Sequence, residues 1–169
     1  MQTDLSDGLK ALADAGIGDP DRACIVGASY GGYAALAGVT LQQGIYRCAV
    51  SVNGVSDLND MFGSTLTGLE DVFSRNAERM LGSDPDLKAL SPRHRAAKTD
   101  APVLLVHGRD DTVVRFRQSV LMQDALKDAG KDVTLVALDG EDHWLSAEET
   151  RKAMLTATVA FVERHNPAE

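Results

Sequence analysis

The sequence predicts a single domain of the α/β class, with a mainly parallel sheet flanked by helices. The chain has 169 residues, which is enough for one hydrophobic core. Four short apolar segments alternate with segments of helical periodicity, and strands that are joined through helices pair in parallel. No internal repeat or low-complexity linker divides the chain, so we expect one domain.

The first predicted helix rests on apolar residues that recur at helical spacing. Leu5, Leu9, Leu12 and Ala13 follow this spacing, and glycine and proline at 16–20 end the helix. The later elements are strands at 23–27, 46–52, 103–106 and 133–138, helices at 32–43, 69–81 and 115–129, and a last helix that the capping box Ser146–Glu149 opens and that runs to about 164. The irregular stretch at 58–99 is expected to be an insertion over the sheet edge.

Composition disfavours several classes of partner. The formal net charge is −8 at pH 7, which argues against nucleic acid and anionic membranes, because both attract surfaces rich in Lys and Arg. No apolar stretch approaches the roughly 20 residues that span a bilayer, and the first residues lack the basic and apolar regions of an export signal. We therefore expect a soluble, cytoplasmic protein.

Two cysteines, Cys24 and Cys48, lie in predicted strands. An unpaired thiol in a strand behaves as a small apolar side chain, and this is the interpretation that we adopt. A disulfide framework would need more cysteines in a smaller chain, and a metal site would need closer spacing or histidines nearby.

A candidate nucleophile lies directly after the first predicted strand. Residues 27–32 read Gly-Ala-Ser-Tyr-Gly-Gly, so Ser29 stands between a strand and a helix. A sharp turn at this point exposes a serine hydroxyl at the carboxyl edge of a sheet, and Gly27 and Gly31 are expected to remove side chains that would collide there. Gly32 is expected to allow close packing of the helix. The alternative is an ordinary loop serine, because this motif alone is weak evidence.

A candidate acid follows the third predicted strand. Residues 107–111 lead away from the carboxyl end of this strand, on the same rim of the sheet as Ser29. Asp110 and Asp111 are both candidates. The alternative is that one or both of them cap the helix that follows.

A candidate base follows the fourth predicted strand. His143 lies in the loop after this strand, where one ring nitrogen can take the proton of Ser29 while the other is held by an aspartate. The other histidines fit this role less well. His94 and His165 lie in polar segments and are expected to be solvated, and His107 ends a buried strand, where we expect a structural hydrogen-bonding role.

The order of these candidates along the chain strengthens the interpretation. Ser29 comes first, an aspartate at 110 or 111 comes second and His143 comes third, each after a different strand. This is the order of the α/β-hydrolases, in which the serine is the nucleophile, the histidine is the general base and the acid orients the histidine.

Several sequence features resemble one branch of these enzymes. They are the elbow Gly27–Tyr33, the preamble Asp19–Arg22, Ser91-Pro92 ahead of Ala101-Pro102, and the motif His107-Gly108-x-x-Asp111-x-x-Val114. From about Leu5 to Arg164 the chain is similar to the catalytic domain of the prolyl oligopeptidase family of serine peptidases, especially its dipeptidyl-peptidase-like and acylaminoacyl-peptidase-like members. In the family's motif the acid is the fourth residue after the histidine, which selects Asp111.

The resemblance implies a partial α/β-hydrolase fold and a peptide substrate. Ser29, Asp111 and His143 would form the catalytic triad, and the Tyr30 N–H would contribute to the oxyanion hole while the tyrosine ring lines the substrate pocket. The remaining residues of this apolar pocket would be Val55, Leu58, Met61 and Val114. The resemblance implies no cofactor and no metal ion.

The resemblance also implies that residues 1–169 are the C-terminal part of the catalytic domain, without the family's propeller. The first strands of that domain, and the loop that gives a second oxyanion donor, have no counterpart in the sequence. The strand at 23–27 would then be an apolar edge, which favours a homodimer through this edge. Two other functions fit the same residues: a carboxylesterase that acts on small acyl esters, and an inactive truncated fragment that serves as an interaction module.

Overall fold

A computed structural model of the chain describes residues 2–63 and 86–168. The helices are α1 (Gln2–Asp14), α2 (Tyr30–Thr40), α3 (Leu58–Gly63), α4 (Leu87–Leu90), α5 (Arg117–Asp128) and α6 (Glu148–His165), and the strands are β1 (Cys24–Ala28), β2 (Cys48–Val52), β3 (Val103–Gly108) and β4 (Val133–Leu138). Short 3-10 helices cover Pro20–Arg22 and Pro92–Lys98. The helix predicted at 69–81 lies outside the described residues.

The four strands form one parallel sheet in the order β1-β2-β3-β4, and the predicted α/β class is confirmed. Each connection between consecutive strands contains at least one helix, so the carboxyl ends of all four strands lie along one rim. Among the described residues β1 pairs with β2 alone, and Val26 in β1 is 51% exposed. A homodimer through this edge stays a prediction.

Helices cover both faces of the sheet. Leu36 of α2 and Met122 of α5 belong to one apolar cluster with Leu105 of β3, and Phe161 of α6 belongs to a second cluster with Leu104. All side chains of β2 and β3 are buried, which explains why these strands read as unbroken apolar runs. Among the described residues, no helix is both long and apolar enough to cross a membrane.

The first helix forms as predicted, but two of its apolar residues remain exposed. Leu5 and Leu12 in α1 are 44% and 49% exposed, so their helical spacing does not place them in the core of the described structure. Ser6 on the same helix hydrogen-bonds to Gln42, just beyond α2. Helical periodicity identifies residues that share a face, but it does not supply the surface that covers them.

The two cysteines are joined in a disulfide, Cys24–Cys48, so the expectation of unpaired thiols is wrong. They are register partners on β1 and β2, and their Cα atoms lie 4.7 Å apart, which is within the range that a disulfide spans. The sequence of each strand alone does not show that Cys24 and Cys48 lie opposite each other, because the register between strands depends on contacts elsewhere in the sheet.

The last helix begins without the predicted capping box. Ala147 is the N-cap residue of α6, and the Ser146 hydroxyl donates to the Asp142 carboxylate instead. The carboxylate of Glu141 accepts the Ala147 N–H at 3.3 Å and the hydroxyl of Thr150. A buried acid from the preceding loop therefore satisfies the start of the helix, where a negative charge is favourable.

Candidate active site

Ser29 lies in a strained turn between β1 and α2. Its φ of 55° and ψ of −117° are costly for a residue with a side chain. The Ser29 N–H donates to the Val52 carbonyl at 2.8 Å, which fixes the turn to the end of β2. A Cβ at Gly27 would lie 2.2 Å from the Gly31 carbonyl oxygen, and the expected requirement for glycine at position 27 is confirmed.

The two glycines after Tyr30 differ in their roles. A Cβ at Gly32 would lie 2.7 Å from the Cα of Gly54 and 2.8 Å from Ser51 Oγ, so glycine at 32 lets α2 lie closely against the end of β2, as predicted. A Cβ at Gly31 would meet nothing within 4 Å. The expected steric requirement for glycine at 31 is therefore wrong, because the close contact there involves the Gly31 backbone.

The imidazole of His143 lies between the hydroxyl of Ser29 and the carboxylate of Asp111. The Nε2 atom of His143 is 3.0 Å from Ser29 Oγ, and its Nδ1 atom is 2.7 Å from Asp111 Oδ2. The three residues follow the carboxyl ends of β1, β3 and β4, which the parallel topology places on one rim. Only 7% of the His143 side chain and none of the Asp111 side chain is exposed, so water competes little for these hydrogen bonds.

The surroundings of Asp111 favour its charged form. Its Oδ1 atom accepts the N–H groups of Val113 and Val114, each at 2.8 Å, and His107 Nε2 lies 3.5 Å from its Oδ2 atom. Burial alone would raise the pKa of Asp111, but the hydrogen bonds from two histidines and two backbone N–H groups outweigh burial and lower it. A carboxylate at Nδ1 of His143 favours the tautomer whose Nε2 atom can accept a proton.

The neighbouring Asp110 does not occupy this position. It is exposed, and its N–H donates to the Glu141 carbonyl at 3.0 Å. Of the two adjacent aspartates, the structure brings Asp111 to His143.

The other three histidines make contacts with residues outside the candidate triad. His107 is buried, with Nδ1 at 2.7 Å from Ser119 Oγ and Nε2 at 2.8 Å from the Val114 carbonyl, as the sequence predicts. His94 and His165 are less solvated than expected. The His94 side chain is 27% exposed and lies 3.4 Å from Asp57, and the ring of His165 packs 4.5 Å from that of Phe161.

A buried asparagine that the sequence reasoning missed connects the loops of the acid and the base. Asn53, at the end of β2, is 1% exposed. Its Oδ1 atom accepts the Gly108 N–H at 2.9 Å, and its Nδ2 atom donates to the His143 carbonyl at 3.1 Å. Its φ of 47° is a conformation that asparagine tolerates better than most residues. An asparagine directly after an apolar strand was the available signal, because a buried amide needs partners.

A buried glutamate that the sequence reasoning also missed organises the loop of His143. Glu141 is 1% exposed, and its Oε1 atom accepts the N–H groups of Asp142 and Ser146 at 3.0 and 2.8 Å. Burial alone would raise the pKa of Glu141, but the hydrogen bonds from Thr150 and three backbone N–H groups outweigh it and lower the pKa. A charged carboxylate therefore holds both the loop and the start of α6.

The predicted substrate-binding residues differ in how much surface they offer. Tyr30 is the first residue of α2 and is 46% exposed; its N–H belongs to the helix end where the dipole favours negative charge. Val55 and Met61 are half-buried. Leu58 and Val114 are only 7% and 2% exposed, so they offer a substrate little surface in the described structure.

This arrangement is suited to acyl transfer. A serine hydroxyl with an oriented imidazole in hydrogen-bond reach can attack a carbonyl carbon, and an N–H group at a helix start can stabilise the oxyanion that forms. In the part of the chain that the structure describes, no group of three or more His, Cys, Asp or Glu side chains is arranged to hold a metal ion.

Comparisons with known proteins lead to one family. The chain is 30% identical over 167 residues to dipeptidyl aminopeptidase BIII of Pseudoxanthomonas mexicana, covering 96% of this chain and 24% of the relative. It is 30% identical over 149 residues to the esterase YjfP of Escherichia coli K12, covering 86% of this chain and 57% of the esterase. A puromycin-hydrolysing peptidase of Mycobacterium tuberculosis has a TM-score of 0.85 and 31% identity, over 96% of this chain and 24% of that structure.

The chain thus spans about a quarter of the length of the two peptidases that it matches. The family model described as the prolyl oligopeptidase family matches residues 1–167. Together with the elbow and the shared α/β architecture, this match identifies the chain as a member of the prolyl oligopeptidase family.

Proposed function

We propose that this chain carries the catalytic triad of a serine peptidase that hydrolyses peptide bonds through an acyl-enzyme. The observation that carries the proposal is the position of His143, whose ring nitrogens lie 3.0 Å from Ser29 Oγ and 2.7 Å from Asp111 Oδ2. The peptidase names of two relatives support peptides as substrates. We also propose that residues 1–169 are the C-terminal part of a catalytic domain, as the sequence resemblance implies; the chain spans about a quarter of the length of these two relatives.

In the first half-reaction His143 acts as the general base. Its Nε2 atom takes the proton of Ser29 as the serine oxygen attacks the substrate carbonyl carbon, and Asp111 stabilises the imidazolium that forms. The oxyanion of the tetrahedral intermediate binds the N–H of Tyr30. His143 then gives its proton to the departing amine, the C–N bond breaks, and the acyl group remains as an ester on Ser29.

In the second half-reaction water replaces the amine. His143 takes a proton from the water molecule as its oxygen attacks the acyl carbon, and returns that proton to the oxygen of Ser29 as the ester bond breaks. The acid is released and the hydroxyl of Ser29 is restored. The same group thus serves as base and acid in both halves, which requires that His143 keep its hydrogen bond to Asp111 throughout.

Labelling with a fluorophosphonate tests the triad directly. We expect the folded chain to react at Ser29, the Ser29→Ala variant to remain unlabelled, and the Asp111→Asn variant to react about 10³–10⁴-fold more slowly, because the imidazole loses its orienting acid. Mass spectrometry of the labelled peptide identifies the modified residue. If the folded wild-type chain is not labelled, the proposal is wrong and an inactive fragment that serves as an interaction module is the better interpretation.

An esterase that acts on small acyl esters is the second candidate. One observation favours it: the chain spans 57% of the esterase YjfP, against 24% of the dipeptidyl aminopeptidase. The discriminating measurement is kcat/KM on acyl-alanyl and acyl-phenylalanyl p-nitroanilides and on short p-nitrophenyl esters. Turnover of the anilides supports the peptidase, because an amine leaves only after protonation by His143. Turnover of the esters alone supports the esterase.

A further inference from the structure

Large apolar side chains lie exposed beside all three residues of the candidate triad. They are Tyr30 next to Ser29, Val113 two positions after Asp111, and Trp144 next to His143, with exposures of 46%, 42% and 76%. Trp144 is the most exposed large apolar side chain of the described residues. An indole left in water contributes little to folding, and exposed apolar surface at a reactive site indicates a binding surface.

The position of Trp144 is fixed by its own loop. The backbone N–H of Trp144 donates to Asp142 Oδ1 at 2.8 Å, and the same carboxylate accepts the Ser146 hydroxyl. Leu145, the next residue, has a φ of 54°, which turns the chain sharply and is unusual for a side chain of this kind. The indole and the imidazole of His143 meet edge to face, with centroids 5.3 Å apart and planes at 86°. The loop therefore holds an apolar ring in water, directly against the base.

The chemistry of the proposed reaction places one part of the substrate beside this ring. When His143 protonates the departing amine, the amine nitrogen must lie within hydrogen-bond distance of Nε2, roughly 2.6–3.2 Å. The Cα atom and side chain of the residue that follows the scissile bond are attached to this nitrogen. An indole 5.3 Å from the imidazole is close enough for van der Waals contact with that side chain.

We propose that Trp144 binds the side chain of the residue that follows the scissile bond, and that it selects peptides with a large apolar or aromatic residue there. This inference rests on the proposed peptidase function. Burial of an apolar side chain against the indole removes both from water, and two aromatic rings gain further from an edge-to-face or offset arrangement. Small leaving-group residues such as glycine lack this contact.

Competition between water and added amines for the acyl-enzyme tests the proposal. An acyl-alanyl p-nitrophenyl ester forms the acyl-enzyme, and phenylalaninamide or glycinamide then competes with water to release the acyl group. We expect phenylalaninamide to capture at least about tenfold more acyl group than glycinamide at equal concentration. We expect the Trp144→Ala variant to lower this preference to within about twofold, and Trp144→Phe to retain part of it.

Two controls separate this inference from the function on which it rests. Ile17→Ala removes a side chain that is also highly exposed, at 73%. Ile17 precedes the amino end of β1, whereas the triad residues follow the carboxyl ends of the strands, so this variant should leave the preference unchanged. Fluorophosphonate labelling of Trp144→Ala verifies that the triad remains assembled. If both proteins are labelled and both discriminate equally between the amides, Trp144 is not the binding surface and the peptidase proposal stands. If wild type is not labelled, both proposals fall.

A binding measurement gives a readout that does not need turnover. Trp144 is the single tryptophan of the chain, so fluorescence excited above the tyrosine band reports on it alone. With the Ser29→Ala variant, we expect phenylalaninamide to produce a saturable blue shift as the indole is buried, and glycinamide to produce none. The aminolysis assay gives the concentration at which phenylalaninamide saturates the acyl-enzyme. Tryptophan emission that stays unchanged up to this concentration would overturn the inference.

Discussion

At the scale of single residues, Asn53 connects the acid loop to the base loop, and its replacement by aspartate tests this role. Aspartate keeps the acceptor for the Gly108 N–H but loses the donor to the His143 carbonyl, so a buried carboxylate oxygen would face a carbonyl oxygen. We expect Asn53→Asp to lower the free energy of unfolding by about 1–3 kcal/mol. We also expect the rate of fluorophosphonate labelling to fall by roughly 10-fold to 100-fold, because small displacements of a catalytic group are costly.

Urea unfolding and labelling kinetics measure these two effects. The matched control is Asn59→Asp, which makes the same chemical change on the exposed surface of α3 and should alter stability by no more than about 0.5 kcal/mol. Equal behaviour of the two variants would mean that Asn53 does not position the loops. Local motifs predict Ser29 and His143, and the family resemblance selects Asp111 over Asp110. The sequence does not reveal the partners of Asn53, since they are 55 and 90 residues away.

At the scale of one element, the loop of His143 and the start of α6 share a buried carboxylate whose charge stabilises the fold. The pKa of Glu141 is lower in the folded chain than its ordinary value of 4.5, so folding favours the charged form. Its contribution to stability is complete above the unfolded pKa and is lost as the pH falls through the folded pKa. We expect Glu141→Gln to be less stable than wild type at pH 7 by about 1–3 kcal/mol.

The difference between Glu141→Gln and wild type should shrink as the pH falls below about 4.5. Chemical unfolding from pH 7 to pH 3 measures it, and subtraction of the two curves removes the contributions of the other carboxylates. The control is Glu149→Gln, at a side chain that is 88% exposed. Its free energy of unfolding should follow the same pH dependence as that of wild type. A gap for Glu141→Gln that stays constant with pH would contradict the assignment of the charge. The sequence predicts a capping box at Ser146–Glu149 and does not reveal that Glu141 caps α6, because residue spacing alone cannot show that Glu141 is buried.

At the scale of the whole molecule, the strand positions and the parallel sheet follow from the sequence, whereas the register does not. The apolar runs of β2 and β3 are recognisable because helices cover both faces of these central strands. Cys24 and Cys48 lie in separate runs, and only the alignment of β1 with β2 brings them opposite each other. The burial of an amphipathic face such as that of α1 likewise depends on surfaces that periodicity does not specify.

The disulfide ties the edge strand β1, which carries Ser29 at its end, to the central strand β2. A link between residues 24 positions apart restricts the unfolded chain and is expected to stabilise the fold by about 3 kcal/mol in the chain-entropy model. We therefore expect a reducing agent to lower the midpoint of urea unfolding and to slow the fluorophosphonate reaction at Ser29, because β1 has one strand neighbour among the described residues. The double variant Cys24→Ala/Cys48→Ala is the control, since the same agent should leave its midpoint unchanged. Alkylation of both thiols after unfolding in urea, without any reducing agent, would show that the bond is not formed.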